Sequence, residues 1–304
     1  MEVKRTWTLT VFVWVLLVGS GWAQDLDPQI KKFKDGIYAY VGKNLNSNCG
    51  IILTQDGVVL IDSGHNPTDS RAILQAVKKL TPLPVRFLID TEPHPDHTTG
   101  HFVFSPTAIV IAAEGAGESM KARFNAEPDR NQKLMDQSPE MRAAFEGYRM
   151  ILPHIEYRQK MTLNAGERTF ELTYLKNVHS EADTAIWLPK ERVLFSASAV
   201  VVDQFNIFRP NVTIPDILAA AKMMKGLNPE FVIPGHGIPG TVKIFEDSER
   251  YYALLLDRVD KMAREGKSLD QIKKELKMPE YDGWATKERF PGNVEAAYKA
   301  VKGS

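Results

Sequence analysis

The residues best able to do chemistry occupy seven consecutive positions, Thr91-Glu92-Pro93-His94-Pro95-Asp96-His97. Two imidazoles and two carboxylates within six residues offer the mixed nitrogen and oxygen donors that suit a borderline cation such as zinc. The two prolines matter physically. Each disfavours the helical region for the residue before it, so Glu92 and His94 are expected to be extended. Alternate side chains of an extended chain share a face. Glu92, His94 and Asp96 are therefore expected to point one way, with His97 turned to a second centre nearby. Ligands ordered in advance lose less entropy on coordination. Two further histidines sit in recognisable turns: His179 in Asn177-Val178-His179-Ser180-Glu181-Ala182-Asp183, and His236 in Pro234-Gly235-His236-Gly237. Small neighbours let the backbone approach a ligand closely, and loops at strand ends commonly carry binding side chains.

These residues need a frame to bring them together. Short β-rich runs at 37–41, 49–54 and 58–62 are followed by a helical pattern over 68–80 and a buried strand over 85–90. The acid- and imidazole-rich segment follows that strand directly. Another strand is expected at 108–112, then a segment rich in Met, Glu, Arg and Ala from 114 to 154, read as a helical insertion. Strand signals return at 161–163, 169–174, 184–188 and 193–195. A helix over 215–226 leads to a strand at 231–233, and the tail 241–304 reads as helical and charged. Strands and helices recurring in each half suggest two β-sheets between outer helices, an αββα sandwich of the α/β class.

The set resembles the metallo-β-lactamase superfamily. The family's first motif, an aspartate ending a strand, matches Asp62 in Ile61-Asp62-Ser63-Gly64. Its second, HxHxDH, matches Glu92 to His97 with glutamate in first place. His179 and His236 match the later motif histidines, in family order. The resemblance implies an αββα fold with Zn2+ in the cleft, one or two ions per chain. Site one would be Glu92, His94 and His179; site two would be Asp96, His97 and His236. Asp62 would support the site from behind. Ser198 stands where many members carry a bridging aspartate, and this resembles the B3 β-lactamases more than dimetal phosphodiesterases. The insertion and tail resemble periplasmic hydrolases of the superfamily.

The expected reaction follows from the ligands. Zinc with an open position lowers the pKa of bound water from ~15.7 to ~7, so hydroxide becomes available at neutral pH. Asp96 is expected to be catalytic, orienting that nucleophile onto a small-molecule cyclic amide or ester, a β-lactam among them. The alternative is a lactone or other ester hydrolase of periplasmic metabolism. A different class, a metal- or partner-binding protein without activity, rests on the altered ligand Glu92. His65 and His101 are expected beside the site or at the surface, and His154 has no expected role.

Composition excludes rather than names. Lys+Arg and Asp+Glu number 38 each, so no basic field invites nucleic acid. Lys4 and Arg5, an apolar run over 11–18 and Gly19-Ser20-Gly21-Trp22-Ala23 read as a signal peptide over 1–23, with the hydrolase domain over 24–304. The apolar run is shorter than the ~20 residues that span a bilayer. The expected location is periplasmic or secreted, with no membrane attachment after cleavage and no commitment on oligomeric state. Cys49 is the only cysteine, which excludes an intrachain disulfide, and it reads as a small core residue.

Overall fold

Some strands of this chain are apolar on both faces, and that decides the layering. Gly57-Val58-Val59-Leu60-Ile61 has every residue buried. A strand of that kind needs cover on both sides. A computed structural model describes residues 26–303; the expected signal peptide lies outside the described residues.

The first sheet has seven strands in the order β1 (Ile30–Lys34), β2 (Ile37–Tyr40), β3 (Cys49–Thr54), β4 (Gly57–Ile61), β5 (Val85–Ile89), β6 (Ile109–Ala113) and β7 (Ile155–Tyr157). Pairing is antiparallel from β1 to β4 and parallel from β4 to β7. The second sheet comprises β8 (Lys160–Ala165), β9 (Arg168–Leu175), β10 (Asp183–Leu188), β11 (Val193–Phe195) and β12 (Phe231–Ile233), in the order β12-β11-β10-β9-β8. Only β11 and β12 pair in parallel within it.

Side-chain alternation sorts the core into three parts. Val59 and Ile61 of β4 join Ile89, Phe170, Ile186, Phe195 and Ile233 between the sheets. Val58 and Leu60 face the other way, towards Ile73 and Val77 of α1 (Pro67–Leu80) and Phe104. On the outer face of the second sheet, Trp187, Leu194 and Val232 meet α7 (Ile214–Gly226), α8 (Lys243–Arg264) and α10 (Phe290–Lys302). The result is the expected αββα sandwich with a helical tail.

Local chemistry sets the helix starts. Asn66 accepts from Thr68 N at 2.9 Å and Asp69 N at 3.1 Å, and Pro67 opens α1. In α8 the buried positions Ile244, Ser248, Tyr251, Leu255 and Val259 recur every three or four residues, which gives one apolar stripe for the sheet.

Two differences from the sequence reading have physical causes. The segment 114–154 is not one helical stretch but three short helices, α4 (Ala116–Ala126), α5 (Arg130–Met135) and α6 (Pro139–Ala144), with coil after Gly147. Pro128, Pro139 and Pro153 break it, because a proline disfavours helix in the residue before it. Strand β1, with the sequence IKKFK, is an edge strand. Its lysines, which weaken a strand signal, protect an exposed edge.

Candidate metal centre

Every expected site residue except His179 follows a strand's carboxyl end: Asp62 follows β4, Glu92 to His97 follow β5, Ser198 follows β11 and His236 follows β12. His179 lies in the loop that enters β10. The structure gathers these loops at one edge of the sandwich.

The backbone of the 91–97 segment departs from expectation. His94 is extended (φ −68°, ψ 147°), but Pro95 opens a helical turn, α2 (Pro95–Thr98), which continues through Asp96 and His97. Proline suits the first helical position because its φ is already helical and its missing N–H would be unpaired there. The shared face expected for Glu92, His94 and Asp96, with His97 apart, is therefore not what forms. Asp96 instead stays with His97 and His236, while Glu92 lies between two imidazole pairs.

One pair is His94 and His179. Glu92 Oε2 contacts His94 Nδ1 and lies 3.3 Å from His179 Nε2. The other pair is His97 and His236, whose Nε2 atoms are 3.2 Å apart. Glu92 Oε1 is 3.3 Å from His97 Nε2, and Asp96 Oδ2 is 3.4 Å from His236 Nε2 and 3.8 Å from His97 Nε2. Two groups of three ligand atoms result, Glu92–His94–His179 and Glu92–His97–His236.

The hydrogen bonds behind these rings fix their tautomers. His97 Nδ1 donates to Asp62 Oδ2 at 2.9 Å, and His236 Nδ1 donates to the Leu45 carbonyl at 2.7 Å. With both Nδ1 atoms carrying a proton, the two Nε2 atoms face each other and two carboxylates. Such an array needs a positive charge between its acceptors, supplied by a proton on His97 Nε2 or by a metal ion. Ligands about 2.0–2.1 Å from a tetrahedral zinc stand about 3.3–3.4 Å apart, so the spacings suit such an ion. The donor set fits a divalent metal.

The electrostatics agree. Burial raises the Glu92 carboxyl, yet His97, His179 and His94 together hold it well below the usual carboxylate range. Asp96 is brought down to about 2, against its burial, by His97 and His236. His97 is lifted to about 10, also against its burial, by Glu92, Asp62 and Asp96. The site therefore favours positive charge at its centre, an imidazolium at His97 or a metal ion in its place.

The chain matches the family model of the metallo-beta-lactamase superfamily over residues 42–236. It belongs to that superfamily. A curated relative, the 2,4-dinitroanisole O-demethylase subunit alpha of Nocardioides sp. (strain JS1661), is 26% identical over 181 residues, 59% of this chain and 49% of that one. Among solved structures, the stereoselective inverting sec-alkylsulfatase from Pseudomonas sp. aligns with TM-score 0.69 at 18% identity, covering 90% of this chain and 50% of that one. The metallo-beta-lactamase from Pontibacter korlensis aligns with TM-score 0.57 at 18% identity, covering 71% and 94%. The chain thus spans about half the length of the demethylase subunit and of the alkylsulfatase, and the structural likenesses speak for the fold.

The superfamily member's remaining motif residues have clear positions. Asp62 accepts from Thr91 N at 2.7 Å and Thr91 Oγ1 at 2.6 Å as well as from His97, so it anchors the residue before Glu92. Ser198 Oγ donates to Glu92 Oε1. His65 Nδ1 accepts from Ser47 N at 3.2 Å and lies 3.8 Å from Asp96 Oδ2, beside the centre. His101 is buried away from it, bonded to Asp90 Oδ1 at 2.8 Å and the Ile151 carbonyl at 2.9 Å. His154 Nδ1 accepts from Val110 N, a structural bond on β6. Cys49 is a buried core residue.

Several neighbours of the centre escaped the sequence reading. Asp183 accepts from the N–H groups of His179 and Ser180 at 2.6 and 2.8 Å and from Ser180 Oγ, which shapes the His179 turn. Burial and the Glu92 charge push its carboxyl up to about 6. Its place four residues after His179, opening a strand, was the available signal. Asn48 Nδ2 donates to the Pro234 and Gly237 carbonyls at 2.8 and 2.9 Å and holds the His236 turn. Arg209 Nη1 lies 3.1 Å from His179 Nε2 and 3.2 Å from its carbonyl. Neither Asn48 nor Arg209 stands in a local pattern that points to the site.

Proposed function

We propose that this superfamily member is a zinc-dependent hydrolase that directs water onto a cyclic amide or ester, β-lactams and lactones included. The observation that supports it is the convergence of the His97 and His236 Nε2 atoms with Glu92 and Asp96 at a buried site. Glu92, His94 and His179 on one side, and Asp96, His97 and His236 on the other, would hold the metal. A cation bound there lowers the pKa of coordinated water towards ~7 and polarises the bond under attack.

The chain's own residues set the rest. Asp96 is the half-buried carboxylate of the set, ionised at neutral pH, and it accepts a hydrogen bond from the incoming water and orients it. Asp62 and the Leu45 carbonyl keep His97 and His236 in the tautomers that face the cleft.

A second reading has an observation of its own. The Arg209 guanidinium stands against His179 with no carboxylate within ion-pair distance among the described residues. A cation there suits an anionic substrate, and a sulfate ester joins the panel for that reason, in keeping with the alkylsulfatase likeness.

The test is metal analysis of purified protein, with turnover of a chromogenic cephalosporin, a lactone, an aryl ester and a secondary alkyl sulfate. Bound zinc with turnover of any one supports the hydrolase and names its substrate class. Bound zinc without turnover leaves a metal-binding protein on this fold, and absence of metal affinity rejects both. The proposal includes export: protein secreted by a bacterial host should lack residues up to Ala23, and an intact mass that retains Met1 would contradict it.

A further inference from the structure

The chain departs from its family's motifs twice, at Glu92 and at Ser198, and the structure puts the two departures in contact. Ser198 Oγ donates to Glu92 Oε1. That oxygen also faces His97 Nε2 at 3.3 Å, while Oε2 faces His94 Nδ1 and lies 3.3 Å from His179 Nε2. Each oxygen of one fully buried carboxylate therefore addresses a different pair of imidazoles. We propose that Glu92 is a bridging ligand, serving two cations at once with one oxygen each, so that it supplies from position 92 the bridge that Ser198 does not.

The packing around Ser198 supports the exchange. A Cβ built on Gly235 would come within 3.0 Å of Ser198 N and collide with its Oγ, so the Pro234–Gly237 turn lies directly on this residue. Glu92 occupies its other side. A carboxylate at position 198 would have to share that space with the one already present. Serine fits because it is short and because its hydroxyl donates to Glu92 Oε1, which aims that oxygen at the His97 side. Cations bridged in two-metal sites stand about 3.5–4 Å apart, a separation that one carboxylate spans. The two departures are then a single compensating change.

The inference rests on the metal-site reading proposed above, and the test separates the two. Zinc affinity is measured by competition with a chromophoric chelator in two backgrounds. His179→Ala leaves only the Asp96, His97 and His236 side, and His236→Ala leaves the His94 and His179 side. A bridge predicts that adding Glu92→Gln weakens zinc binding in both backgrounds, each by at least ~10-fold, the lower end of the loss seen for groups that merely support a ligand. Loss in one background only overturns the bridge and leaves the metal site standing. Failure of the unaltered protein to bind zinc at either side overturns the metal site itself. Thermal melts of the metal-free proteins report folding. A second set covers a variant that does not melt cooperatively: Glu92→His should keep binding on the His94 side and weaken it on the His97 side, and Glu92→His with Ser198→Asp should bind on both. If the double variant gains nothing over Glu92→His, the bridge is not exchangeable between these positions and the inference fails.

Discussion

Asp62 shows how one side chain can govern a centre it does not enter. Three donors converge on its two oxygens: Thr91 N, Thr91 Oγ1 and His97 Nδ1. Asp62→Asn leaves one oxygen for three donors and removes the charge that holds the His97 tautomer. Zinc affinity should fall by ~10–100-fold, as measured by chelator competition. A pair of histidines makes the contrast with a purely structural role. His236→Ala should lower bound zinc per chain, whereas His154→Ala removes only the acceptor of Val110 N, costs ~1 kcal/mol in denaturant melts and leaves zinc content unchanged. Equal zinc loss in both would mean the ligand set is misassigned. At this scale the sequence was informative wherever a candidate ligand came with a turn. His236 announced itself through Gly235 and Gly237, and His94 through its flanking prolines. Arg209 and Asn48 did not, because they reach the centre through tertiary contacts from distant parts of the chain.

Between elements, the buried His101–Asp90 pair ties the coil after α6 to the end of β5. Both partners of His101, the Asp90 carboxylate and the Ile151 carbonyl, are acceptors, so both ring nitrogens donate and the ring is an imidazolium. Burial opposes that charge, but Asp90 outweighs it and holds the His101 pKa above the ordinary imidazole value. A raised folded pKa means the contribution is complete below the unfolded value of ~6.5 and fades as pH rises through the folded one. His101→Leu strands a buried carboxylate and should cost ~3–5 kcal/mol in urea melts at pH 6. The gap to the unaltered protein should narrow at alkaline pH; a gap that stays constant with pH would show that the ring is neutral. Element reading from sequence held for the strands apolar on both faces, such as β4, and for α1 with its Asn66-Pro67 start. It missed the short strand β7. It also overextended helix through 114–154, where Pro128, Pro139 and Gly147 override the helix-favouring Met, Glu and Ala around them.

For the whole molecule, the tail forms the outer layer over the second sheet. Leu255 of α8 is fully buried against that sheet's outer face. Leu255→Ala should cost ~2–5 kcal/mol of unfolding free energy without changing zinc stoichiometry. The αββα arrangement was readable because strand and helix patterns recur in each half and because the motifs fall in order from Asp62 to His236. What the pattern could not give was the meeting of loops across the sandwich, which depends on how the two sheets dock. Glu92, His94, Asp96 and His97 come from the first sheet, and His179 and His236 from the second. Neither half can assemble the centre by itself. Capture of a cation by the proposed centre would then require the two halves to have met. If the proposed centre binds zinc, uptake followed by stopped-flow during refolding would report when the two sheets close.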